Sequence, residues 1–207
     1  MPLVAGRNSP PPLYRMIANL SKPVVFALYR LRAEGVEDLP PEGGFVLAAN
    51  HVSAFDPWPL GLALYPRSVH FMAKAELYNP ALKPILEGCG AFPVRRGERD
   101  AESFRTAVRL ARAGGIVAIF PEGTRRAKGF RKRYIAQPHV GAARIALAAG
   151  VPLVPVGIMG TDRLARLGPL RVRFGPPIQL DTESARRKAA RTATDELMQR
   201  IAVLQAA

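Results

Sequence analysis

The sequence predicts an α/β fold: a mixed, mostly parallel central sheet flanked by helices, with an amphipathic helical pair ahead of it. Three observations carry this expectation. Short apolar runs suited to buried strands recur along the chain, and segments with helical spacing of apolar residues separate them. Glycines and prolines cluster at the ends of those runs, as loop residues do. At 207 residues and 48% hydrophobic content, the chain suits one domain with a sizeable core and at most a short appendage.

Taken in order, residues 1–12 read as a disordered tail, because MPLVAGRNSPPP lacks the charged-then-apolar order of a signal peptide. Residues 13–35 form a helical segment. Leu13, Met16, Ile17 and Leu20 share one helical face, and Pro23 breaks or restarts the helix. Val24, Val25, Phe26, Leu28, Tyr29 and Leu31 follow, flanked by Lys22, Arg30 and Arg32. Such a hairpin lies in a membrane interface or covers the core of the main domain; the residues alone leave both open. The α/β domain then runs over 36–207. Phe45–Ala49 is its first strand, and Pro57 opens a helix to about Tyr65 with Asp56 at the N-cap position. Ser68–Met72 and Ala91–Val94 are further strands. Asp100 caps a helix to Ala113 with Phe104, Ala107, Val108 and Ala111 as its stripe, and Gly114 ends it. Ile116–Phe120 is a strong strand. A helix from about Val140 stops at Gly150. Val151–Ile158 carries Pro152 and Pro155, which predicts an edge strand or a bulge. Arg171–Phe174 is a late strand, and Asp181 or Thr182 starts a final basic helix.

Thirty Lys and Arg against sixteen Asp and Glu give a formal charge of +14. That balance favours anionic partners: phospholipid surfaces, nucleic acid, acidic carrier proteins or phosphorylated substrates. Few aromatics and no nucleic-acid motif weigh against nucleic acid. The single cysteine, Cys89, excludes an internal disulfide, and its Gly-Cys-Gly context suits a buried small residue rather than a nucleophile. No run approaches eighteen uncharged apolar residues, so no transmembrane helix is expected. A cytoplasmic protein, or one attached peripherally to the cytoplasmic face of a membrane, is. Scattered histidines give no metal-ligand spacing, so no metal site is expected.

Two constellations carry chemistry. Asn50-His51-Val52-Ser53-Ala54-Phe55-Asp56 follows a strand directly. If residues 52–55 curl into one turn, Asp56 accepts from one imidazole nitrogen of His51 and leaves the other basic and outward. That pairing is a base with its orienter, and it needs no protein nucleophile. Asp56 as a plain helix cap is the structural alternative. Ser53 lies too close to His51 on the same turn to attack. His70 sits in an apolar stretch and reads as structural, and His139 receives no role. The second constellation is Glu122-Gly123-Thr124-Arg125, again after a strand. Gly123 permits a tight turn and close ligand approach, and Arg125 can fork onto a phosphate. Arg95-Arg96-Gly97 and the pair Lys74 and Glu76 also stand at strand ends. Taken singly, each of these is more simply solvated charge. In open α/β sheets, chemistry collects beyond strand C-termini, where both constellations begin.

The order of the blocks resembles the glycerolipid acyltransferase family, in particular its bacterial 1-acylglycerol-3-phosphate O-acyltransferases of PlsC type. Asn50–Asp56 matches the family's His-x-x-x-x-Asp block. Gly90-Ala-Phe-Pro-Val-Arg95 resembles the second, Phe120-Pro-Glu-Gly-Thr-Arg125 matches the third, and Val151–Val156 resembles the fourth. Phe71–Leu77 also resembles a stretch between the first two blocks, and the likeness covers about residues 33–178. The resemblance implies that His51 is the general base on a lysophospholipid hydroxyl, with Asp56 its orienter. It implies that Arg95, Glu122, Gly123, Thr124 and Arg125 hold the glycerol-phosphate end. The donor would be acyl-CoA or an acyl-carrier protein, as co-substrate; no resident cofactor is implied. Remaining alternatives are an acceptor other than 1-acylglycerol-3-phosphate, such as glycerol-3-phosphate or another lysophospholipid, and a non-catalytic basic module for membrane or nucleic acid.

Overall fold

The structure is a computed structural model that describes residues 10–95, 100–122, 138–181 and 185–206. Its strands are β1 (Arg32–Glu34), β2 (Phe45–Ala49), β3 (Val69–Lys74), β4 (Phe92–Val94), β5 (Ile116–Ile119), β6 (Leu153–Met159) and β7 (Arg171–Phe174). They form one seven-stranded sheet in the order β1-β7-β6-β2-β5-β3-β4. Every pairing is parallel except β6 with β7. The mixed, mostly parallel sheet expected from the sequence is therefore present. The sheet also takes in Arg32–Glu34, ahead of position 36.

Helices cover both faces, which is why the central strands are apolar throughout. Alternation along β2 divides the core in two. Phe45, Leu47 and Ala49 face α1 (Pro12–Leu28) and α2 (Pro57–Ala63), beside Tyr14, Ala18, Val25, Leu60 and Leu62. Val46 and Ala48 face α4 (Ala101–Arg112), α5 (Gly141–Ala149) and α6 (Arg186–Ala206), beside Ala107, Ala111, Ala146, Ala193 and Leu197. The many alanines on this second side let helices sit close: a Cβ on Gly157 of β6 would come within 2.9 Å of Leu204 in α6. Burying each large apolar side chain of β2 contributes about 1.5–3 kcal/mol. The short α3 (Lys83–Gly88) lies against α1.

Two expectations are corrected. The N-terminal pair of helices is one continuous helix, α1, with Pro23 inside it. Proline's φ near −65° is already helical, so the ring forfeits chiefly the bond to the carbonyl four residues back. Contacts on both sides of it hold the helix: Tyr14 Oη donates to the Gly61 carbonyl (3.2 Å), Trp58 Nε1 donates to Ser21 Oγ (3.1 Å), and Val25 is fully buried. β6 is interior rather than an edge or a bulged strand, despite Pro155. The N–H that Pro155 lacks falls on the β7 side, beyond the last register pair Val156–Phe174; there only its carbonyl is used, by Gly175 N–H at 2.9 Å.

The inward face of α1 is Tyr14, Ala18 and Val25. Met16, Leu20, Val24 and Leu28 form an outward ridge at four-residue spacing, 46–70% exposed. Among the described residues no helix is long and apolar enough to cross a membrane.

Asn50, fully buried, extends the β2–β6 ladder by one rung with its side chain. Its Nδ2 donates to the Ile158 carbonyl (2.8 Å) and its Oδ1 accepts from Ile158 N–H (2.7 Å). Asn50→Ala orphans both backbone groups, each at about 1–3 kcal/mol. Denaturant unfolding is therefore expected to give a variant destabilised by several kcal/mol; a loss within error of zero contradicts this role.

Candidate active site

Five parallel strands, β2, β3, β4, β5 and β6, end on one edge of the sheet. That edge gathers residues far apart in sequence: His51 after β2, Lys74 at the end of β3, Arg95 after β4, Glu122 after β5 and Thr161 after β6.

His51 and Asp56 are in contact: Nδ1 and Oδ2 are 2.7 Å apart, with His51 6% exposed and Asp56 fully buried. The loop between them curls as the spacing requires, because Asp56 organises it. The same Oδ2 accepts from Val52 N–H (2.8 Å) and Ser53 N–H (2.9 Å). Oδ1 accepts from the hydroxyl of Thr161, itself buried. Asp56 makes no side-chain cap to α2, so its carboxylate serves the loop rather than the helix. With the carboxylate accepting throughout, Nδ1 of His51 is the donor, and Nε2 then carries the lone pair. Phe120 stacks on the imidazole at 4.2 Å between centroids and 22° between planes, which fixes the ring from its flat side. Among the described residues no side chain hydrogen-bonds Nε2. Among the described residues the proton-bearing side of the imidazole is engaged and its lone-pair side has no side-chain partner, the arrangement a general base requires.

Glu122 is buried, two residues beyond Phe120. His139 N–H returns to the Pro121 carbonyl at 2.9 Å, so the far end of the intervening segment is tied back to this turn. Gly123, Thr124 and Arg125 lie outside the described residues. Arg95 is exposed at the end of β4, three strand spacings from β2, or about 14 Å along the edge. Its N–H donates to Asp100 Oδ2 (2.8 Å); that bond, followed by those from Ser103 and Glu102, holds the Asp100 carboxyl below the usual range while Asp100 caps α4. Lys74 and Glu76 pair with each other at 2.9 Å in solvent. His70 Nδ1 donates to the Gly90 carbonyl (3.2 Å), and burial pushes its pKa down. Burial pushes the Cys89 thiol up, away from a reactive thiolate. Among the described residues no three His, Cys, Asp or Glu side chains gather closely enough to hold a metal ion.

Sequence reasoning missed Thr161, Asn50 and the ring of Phe120 as parts of this site. Thr161 follows a strand end as His51 does, and that position was the one signal for it. Gly160 makes the turn, with φ +92°, and a Cβ there would meet the Pro169 carbonyl at 2.4 Å. A hydrogen bond to a charged group contributes about 1.5–3 kcal/mol. Thr161→Val is accordingly expected to lower kcat roughly tenfold or more, with Thr161→Ser close to wild type. Equal kcat in all three proteins rules the contact out as an orienter.

A family model described as Acyltransferase matches residues 30–159, more than half of the chain. The 1-acyl-sn-glycerol-3-phosphate acyltransferase of Bacillus subtilis (strain 168) is 33% identical over 201 residues, which are 93% of this chain and 97% of that one. The chloroplastic 1-acyl-sn-glycerol-3-phosphate acyltransferase BAT2 of Brassica napus is 30% identical over 152 residues, 70% of this chain and 41% of that one. Among solved structures, the 1-acyl-sn-glycerophosphate acyltransferase PlsC of Thermotoga maritima aligns with a TM-score of 0.61 at 25% identity, covering 90% of this chain and 78% of that one.

Proposed function

The chain belongs to the acyltransferase family, and from that premise we propose that it moves a fatty acyl group from an acyl thioester to the free hydroxyl of 1-acylglycerol-3-phosphate, giving phosphatidate. The observation that carries the reading is the His51–Asp56 pair at 2.7 Å on the sheet edge. Nε2 of His51 takes the proton of the lipid hydroxyl as its oxygen bonds to the thioester carbonyl carbon. Asp56 holds Nδ1–H and stabilises the imidazolium that forms. The tetrahedral intermediate collapses, the C–S bond breaks, and the departing sulfur takes the proton back from Nε2. Phosphatidate and free thiol are the products, and no acyl-enzyme forms.

Arg95, Glu122, Gly123, Thr124 and Arg125 hold the glycerol-phosphate end in this reading. The blocks they belong to support the assignment, as does the position of Arg95 and Glu122 on the edge that carries His51. Purified protein given one acyl donor and a series of acceptors tests the function. Turnover with lysophosphatidate well above that with glycerol-3-phosphate or lysophosphatidylcholine is expected. A preference for either of the others replaces the acceptor, and no turnover with any of them removes the proposal.

The substrate is membrane-borne, and the α1 ridge supports a peripheral attachment from the cytoplasmic face. Arg15 and Lys22 are exposed on the same helix and Arg30 just beyond it, which adds positive charge suited to an anionic surface. Each buried apolar side chain contributes about 1.5–3 kcal/mol, so Met16→Glu with Leu20→Glu is expected to weaken binding to anionic vesicles more than tenfold. Both residues are exposed, so stability is unaffected. Undiminished sedimentation with vesicles contradicts this attachment.

A further inference from the structure

A second basic group stands on the same sheet edge, on the other side of His51 from Arg95. The register sets Arg32 of β1 against Arg171 of β7, two like charges directly opposite each other. Such a pair is destabilising. Two residues on, the same strands set Glu34 against Arg173, and these pair at 2.7 Å. Arg163 and Arg166, from the turn after β6, join Arg171 in lining a cavity of about 360 Å3 whose walls include Gly160 and Pro169. Asp162 partly offsets Arg163, at 3.5 Å. Among the described residues no acid pairs with Arg32, Arg166 or Arg171. Three guanidinium groups around a concave space, two of them without an acidic partner among the described residues, are an arrangement that recognises phosphate.

Position narrows the ligand. β7 is two strand spacings from β2, so Arg171 is about 10 Å along the edge from the strand that carries His51, and Met159 and Gly160 of the neighbouring β6 line the cavity's nearer side. Register partners Met159 and Arg171 both point away from α1, because their neighbours Ile158 and Val172 lie in the core beneath α1. The cavity therefore opens on the face opposite the α1 ridge, where a water-soluble group would approach. A carrier protein would meet a convex acidic surface to this site, whereas a concave space of this size suits a small molecule. We infer that Arg163, Arg166 and Arg171 bind the diphosphate and 3′-phosphate of a coenzyme A thioester, holding the donor's soluble end while its pantetheine arm reaches His51. This rests on the donor being an acyl thioester.

Calorimetric titration of the full chain with CoA, dephospho-CoA and pantetheine tests this without any acceptor, so its failure is separable from failure of the lysophosphatidate reading. CoA is expected to bind at least about tenfold more tightly than pantetheine, since each charged hydrogen-bonded contact accounts for roughly that factor. The double variant Arg166→Ala, Arg171→Ala is expected to lose that difference, and its KM for acyl-CoA to rise to that for acyl-pantetheine. Arg109→Ala is the control. Arg109 lines a separate cavity of about 430 Å3 along α4, whose C-terminus leads into the opposite edge of the sheet. It is expected to keep the CoA preference. Equal wild-type affinities for CoA and pantetheine overturn the inference. So does an equal loss in Arg109→Ala, which would indicate diffuse charge. So does a double variant that keeps CoA binding but loses affinity for acyl-carrier protein or for anionic vesicles.

Discussion

His51→Ala is expected to lower kcat by about 10²–10⁴-fold, the usual effect of removing a general base. The fold should survive. The carboxylate of Asp56 would still accept from Val52, Ser53 and Thr161, so no buried polar group is orphaned by the loss of the ring. What is lost structurally is the bond to Asp56, about 1.5–3 kcal/mol, and the contact with Phe120, about 0.5–1.5 kcal/mol. Denaturant unfolding should therefore place the variant within about 4 kcal/mol of wild type. KM for the lipid acceptor should change little, because the imidazole acts on the reacting proton rather than on the phosphate. Retention of most of the turnover would remove His51 as the base. A collapse of stability with the loss of activity would make the residue structural.

Asp56→Asn carries the second large effect, and it differs in kind. The carboxylate accepts from four donors: His51 Nδ1, the N–H groups of Val52 and Ser53, and the Thr161 hydroxyl. An amide of the same shape has one accepting oxygen and an NH2 that only donates. One orientation sets the NH2 against the imidazole N–H, which favours the other tautomer and turns the lone pair inwards, away from the substrate. That same orientation also sets the NH2 against the Val52 and Ser53 N–H groups and costs the loop its anchor, whereas the other sets it against the Thr161 hydroxyl, which must turn from donor to acceptor. Where a buried aspartate orients a catalytic histidine, this change lowers kcat on the order of 10⁴. Here it should also cost about 1–3 kcal/mol of stability, from the mismatched buried groups. Activity and unfolding measured on the same preparation separate the two. Full activity with reduced stability would leave Asp56 a loop anchor alone.

Much of this was legible in the chain because it is local. A strand of five apolar residues running straight into Asn-His, with a carboxylate five positions on, fixes a turn and a pairing within seven residues. The strand ends after β3, β4 and β5 were legible for the same reason. The rest depends on tertiary pairing. The Thr161–Asp56 contact spans 105 positions, and the Asn50–Ile158 pair spans 108. No local pattern announces either. β1 is three exposed residues and has no apolar signature; it exists because β7 is there to pair with it. Pro155 was misleading for a related reason. A proline disqualifies a central strand only if its missing N–H faces a ladder, and which side it faces is set by register. Pro23 likewise stays in a helix because α2 holds Tyr14 and Ser21 before it and the core buries Val25 after it.

The central claim is that one imidazole, held by Asp56, deprotonates the acceptor alcohol for direct attack on the thioester. Rapid mixing of enzyme with acyl-CoA, followed by thiol appearance, tests it most directly. Without acceptor, no thiol should appear on the timescale of turnover. On adding lysophosphatidate, thiol should be released mole for mole with phosphatidate, and not in His51→Ala. A burst of thiol equal to the enzyme concentration before any acceptor is added would mean an acyl-enzyme, and would contradict the account.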